Sequence, residues 1–84
     1  MTNPTFCARF ADGTEIRMTV WHSPERGSFD LRRGVRLARL AYATRMHDPF
    51  DAPTAVPPMV VARFEDDGVE LISYSAQELA EAAR

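Results

Sequence analysis

The chain contains no lysine, and its ten basic residues other than histidine are all arginine. Cysteine and tryptophan occur once each, as Cys7 and Trp21, and the two histidines are His22 and His47. A single cysteine excludes an internal disulfide, so the fold must hold without covalent staples. Two histidines far apart in sequence, with no cysteine pair and no aspartate-rich loop, make a weak metal-ligand set. No metal and no cofactor is expected. No apolar run is long enough to read as a membrane span, and no basic-then-apolar start reads as an export signal. Proline at the middle of Asn3-Pro4-Thr5 rules out a glycosylation acceptor there. The expected location is cytoplasmic. The lysine deficit covers the whole chain and not one site, which fits codon bias better than selection for bidentate guanidinium contacts.

What is present is a near-repeat. Residues 8–15 read Ala-Arg-Phe-Ala-Asp-Gly-Thr-Glu, and residues 62–70 read Ala-Arg-Phe-Glu-Asp-Asp-Gly-Val-Glu. Alternating apolar residues flank each, and a helix-like segment follows each. The chain therefore reads as a ββα unit written twice: unit one spans about 5–46, a connector about 47–58, and unit two about 59–84. Both fall within one domain, 1–84. Placing each glycine last in its loop, where a positive φ is needed, sets the register. Arg9 then faces Glu15, Cys7 faces Arg17, Arg63 faces Glu70, and Val61 faces Ile72. One face of each hairpin collects Phe6, Ala8, Phe10, Ile16, Met18 and Val20, or Val60, Ala62, Phe64, Val69 and Leu71, as strand alternation requires.

Between the units, His22-Ser23-Pro24-Glu25-Arg26-Gly27 is turn-rich, with Ser23 and Pro24 placed to start one helical turn. A helix from Ser28 or Asp30 to Met46 follows. Leu31, Val35, Ala38 and Tyr42 form its apolar stripe, widened by Gly34, Leu37, Ala41 and Met46. Pro49 ends it, and four prolines in Asp48–Pro58 make an extended connector. Ser75-Ala76-Gln77-Glu78 is a capping box for a short last helix. The expected fold is an α+β two-layer sandwich, ββαββα, with an antiparallel sheet and both helices on one face. A core this small gains from association.

Two surfaces are candidates for function. On the derived register the outer sheet face shows Trp21, Met59, Val61, Ile72 and Tyr74 around the Arg–Glu pairs. A face that should be wet is then unusually apolar, as in interfaces. The other is a stripe on helix one, where Arg32, Arg36 and Arg39, with Arg33 beside them, recur on successive turns with no acid among them. Phosphates or acidic side chains would neutralise it, although a net charge of −2 argues against nucleic acid. Catalysis would rest on Cys7 with His22 or His47, oriented by Asp48 or Asp51. Cys7 instead falls mid-strand, where a small semi-buried residue suffices. The expectation is a non-catalytic module, a homodimer or protein binder through the sheet face, with nucleic-acid or phosphate binding through the arginines as the alternative.

Overall fold

The computed structural model describes residues 4–19, 30–46 and 55–84. Its elements in chain order are β1 (Thr5–Phe10), β2 (Glu15–Thr19), α1 (Leu31–Arg45), β3 (Met59–Asp66), β4 (Val69–Tyr74) and α2 (Ala76–Ala82). The strands form one antiparallel sheet in the order β2-β1-β3-β4. Both helices pack on one face, giving the two-layer α+β arrangement. At the middle of the sheet Phe6 faces Phe64 and Ala8 faces Ala62. Val20, Trp21, the connector where one helical turn was expected from Ser23, and His47 through Thr54 lie outside the described residues.

The first hairpin takes the register its sequence implies. Arg9 pairs with Glu15, Ala8 with Ile16, Cys7 with Arg17 and Phe6 with Met18. The Phe10 N–H donates to the Thr14 carbonyl at 2.8 Å, and the Gly13 N–H donates to the Phe10 carbonyl at 2.9 Å. Gly13 closes the loop at φ 90°, a conformation that an L side chain resists. Asp12 adds a local bond, its Oδ1 accepting from the Thr14 N–H at 2.9 Å.

The second hairpin departs from expectation. Its loop is the two-residue Asp67-Gly68, with φ of 54° and 79°, the doubly positive pattern of a type I′ turn. Asp66 then faces Val69 and Glu65 faces Glu70, so Arg63 does not pair with Glu70. A bulge follows at Leu71, after which Phe64 faces Ile72, Arg63 faces Ser73 and Ala62 faces Tyr74. A second irregularity sits between β1 and β3: Arg9 faces Val61 but Phe10 faces Met59, leaving Val60 as the extra residue. Each bulge inserts one residue into a two-residue period, and each therefore exchanges the faces of the sheet beyond it.

The core lies between sheet and helices. Phe6, Phe10, Ile16 and Phe64 from the sheet meet Val35, Ala38 and Tyr42 from α1 and Leu79 from α2. Ring pairs bind the layers, with Phe10 and Tyr42 centroids 4.8 Å apart and Phe6 and Tyr74 centroids 6.4 Å apart. Met59 and Tyr74 belong to this core; Val60, Val69 and Leu71, expected inside, are exposed. Leu37 and Met46, at the margins of the expected helix stripe, are also exposed.

Helix ends follow their caps. Asp30 caps α1, its Oδ1 accepting from the Arg32 N–H at 3.0 Å. Ser75 and Glu78 close a capping box at α2, each side chain accepting from the other's backbone N–H at 3.2 Å. Leu79 is the buried anchor of that short helix.

Candidate interaction surfaces

The outer sheet face is a charged lattice at its centre. Arg17 donates to Glu65 at 2.9 Å, and Arg63 donates to the other Glu65 oxygen at 3.0 Å. Glu15 lies 3.6 to 3.9 Å from Arg9, Arg17 and Arg63. The lattice arises because β1, β2 and β3 each send every second residue to this face, and the registers bring 9, 15, 17, 63 and 65 together. Hydrogen bonding to Arg63 holds the Glu65 carboxyl below the usual carboxylate range. That bond in turn raises the Arg63 guanidinium.

Cys7 sits between Arg17 and Arg63 in the sheet and is almost fully covered. Burial pushes its thiol up, Glu65 adds to the rise, and Arg17 and Arg63 pull it back. A thiol kept protonated is a weak nucleophile. Among the described residues no group of three His, Cys, Asp or Glu side chains converges as a metal site.

The apolar patch expected here is dispersed by the two bulges. Met59 and Tyr74 turn to the helix side and are buried, at 6% and 9% exposure. Ile72 shares the side of Phe64, its partner across β3 and β4, and remains half exposed because it lies on an edge strand. Only Val61 keeps its expected side, opposite Arg9, and Trp21 lies outside the described residues. Burial raises the Tyr74 phenol, with Glu78 adding to it.

Exposed apolar surface collects instead along β4, which carries Val69 at 63%, Leu71 at 53% and Ile72 at 50% exposure. The two sheet edges differ in kind. β2 alternates charge at Glu15 and Arg17, and its Glu15 carbonyl accepts from Arg45 of α1 at 3.2 Å. β4 has Glu70 as its one charge. Charged side chains are a common guard for an edge, and β4 is poorly guarded. Sequence reasoning placed Val69 inside because it allotted four residues to the loop, and Leu71 inside because it allowed for no bulge. For the turn the signal was in view: an Asp-Gly pair between apolar runs favours a two-residue I′ turn.

The arginine stripe is where the helical period puts it. Arg32, Arg33 and Arg36 are exposed and Arg39 is half-buried. Among the described residues no ion pair or hydrogen bond engages their side chains; Glu65, an acid of the same chain, is committed to Arg17 and Arg63. Arg32, Arg36 and Arg39 line a groove that α1 shares with the end of α2.

No protein-family model, no curated protein and no solved structure matches the chain.

Proposed function

We propose that the protein is a non-catalytic interaction module that self-associates through the β4 edge. The observation that carries this reading is three large apolar side chains, each at least half exposed, on one six-residue edge strand. An edge strand presents a row of unpaired backbone groups, and a second copy of the same edge supplies the complementary row. Antiparallel pairing of two β4 strands extends four strands to eight and shelters Val69, Leu71 and Ile72 of both copies. The contact is short, and the bulge at Leu71 bends the edge. Area of this size supports weak, reversible association and not an obligate dimer.

Sedimentation velocity across the micromolar range tests this. The expected result is a concentration-dependent monomer–dimer shift that Leu71→Lys and Ile72→Lys each abolish, with circular dichroism unchanged. A wild-type chain that stays monomeric throughout, or lysine variants that associate as well as wild type, would overturn it.

A further inference from the structure

A second surface, which no β4 residue lines, has the character of a peptide site. Between α1 and the end of α2 lies an open groove of about 600 Å³, lined by Arg32, Val35, Arg36, Arg39 and Leu40 of α1. Val35 and Arg39 also border an adjoining hollow of about 460 Å³, whose other walls include Met59, Val60 and Leu79. The two form one trough, basic at one end and apolar at the other. Among the described residues no aspartate or glutamate lines either part.

The geometry points to an acidic amphipathic peptide segment of a protein partner as the occupant of this trough. Charge complementarity carries the assignment. Arg32, Arg36 and Arg39 stand at i, i+4 and i+7 on one helix, so their guanidinium groups line up along the wall. Each has a fork suited to a carboxylate, and none is spent on an ion pair among the described residues. Like charges at this spacing repel, and a row of carboxylates relieves that repulsion. The apolar end then needs something to bury, which leucine-like side chains of the same segment supply. An amphipathic segment laid in a groove by alternating anchors is a recurrent recognition mode.

A nucleic acid fits less well. Among the described residues no aromatic side chain lines either part of the trough, so they offer bases no stacking platform. A phosphate backbone gains nothing from the apolar end, and the chain as a whole carries a net charge of −2.

Fluorescence polarisation decides the matter with three labelled probes. These are a peptide alternating Glu with Leu, the same peptide with Gln for Glu, and a single-stranded DNA oligonucleotide of matched length. The expected result is saturable binding of the Glu–Leu peptide that weakens as salt rises. It should fall about tenfold or more in Arg36→Gln/Arg39→Gln, since bonds between charged partners are the stronger class. Val60→Asp, at the apolar end, should weaken it without changing the helical dichroism. Leu71→Lys should leave it unchanged, which separates this site from the β4 contact. Equal binding of the Gln–Leu peptide, preference for the oligonucleotide, indifference to the arginine replacements, or no binding at all would each overturn the assignment.

Discussion

The two hairpins share a written recipe and differ in how they use it. Ala8-Arg9-Phe10 and Ala62-Arg63-Phe64 lead into their turns alike, yet the first hairpin keeps a regular register while the second shifts and bulges. In the first, Ala11-Asp12-Gly13 leaves one way to close, with a single positive-φ residue at the glycine. In the second, the added residue permits a tighter turn at Asp67-Gly68, with both residues at positive φ. That turn brings Glu65 opposite Glu70, a like-charge pairing across the strands. Arg63 and Arg17 compensate by binding Glu65 from its own strand and from β2. One inserted residue has thus left Glu65 ion-paired with Arg63 of its own strand and with Arg17 across β1, and not with a residue of β4.

The consequence for packing is equally plain. Asp12 of the first loop reaches the helix layer, where its Oδ2 accepts from the Tyr42 hydroxyl at 2.6 Å. The second hairpin projects Val69, Leu71 and Ile72 into solvent. One hairpin is tied into the fold along its length, and the other offers its edge.

The contrast is broken most sharply by truncating one apolar residue in each hairpin. Phe10, at 1% exposure, should cost about 3–5 kcal/mol as Phe10→Ala. Val69, at 63% exposure, should cost about 0.5 kcal/mol or less as Val69→Ala. Urea unfolding at neutral pH measures both, and similar costs would show that the second hairpin is packed as tightly as the first.

A smaller effect isolates the tie between the first loop and α1. The hydrogen bond from Tyr42 holds the Asp12 carboxyl below its ordinary value, with the Thr14 N–H adding to the shift, and raises the Tyr42 phenol. A depressed carboxylate contributes stability above its unfolded pKa of about 3.9 and loses it as pH falls through the lower folded value. The raised phenol contributes below its unfolded pKa of about 10 and loses that as pH rises through the higher folded value. Tyr42→Phe should therefore lower the urea midpoint at neutral pH and flatten the acid limb of its pH profile. The Glu65–Arg63 bond acts in the same acid window, so some acid dependence should persist in the variant. An unchanged acid limb would mean that the tie contributes nothing in solution.

The smallest effect is expected from deleting Leu71. Removing the bulged residue leaves Phe64 facing Ile72 and Ala62 facing Tyr74, now in a regular ladder. Stability should change by less than about 1 kcal/mol, since Leu71 is more than half exposed. Amide chemical shifts across Ala62, Phe64, Ile72 and Tyr74 report the outcome. Large shifts at Ala62 and Tyr74 would show that the bulge is needed to align them.

Local rules were enough for much of this chain. The first hairpin's pairing, the buried stripe of α1 at Val35, Ala38 and Tyr42, and the capping box at Ser75 are all readable from residues within a few positions of one another, while the start of α1 was narrowed to Ser28 or Asp30. Each is a bond or contact between near neighbours, and alternation or helical period carries it. The arginine stripe was legible for the same reason. Its place beside α2 was not, because nothing in helix one specifies what packs next to it.

Strand order, the antiparallel pairing of β1 with β3, and the two bulges were decided only in three dimensions. A bulge is a compromise between two strands: Val60 and Leu71 are displaced so that Phe10 meets Met59 and Phe64 meets Ile72. Neither strand encodes that displacement alone. Because side chains alternate with a period of two, each one-residue displacement carries Met59, Ile72 or Tyr74 to the opposite face. The amino-acid order determined which residues seek burial, and the matching of separate strands over a shared core determined which of them obtained it.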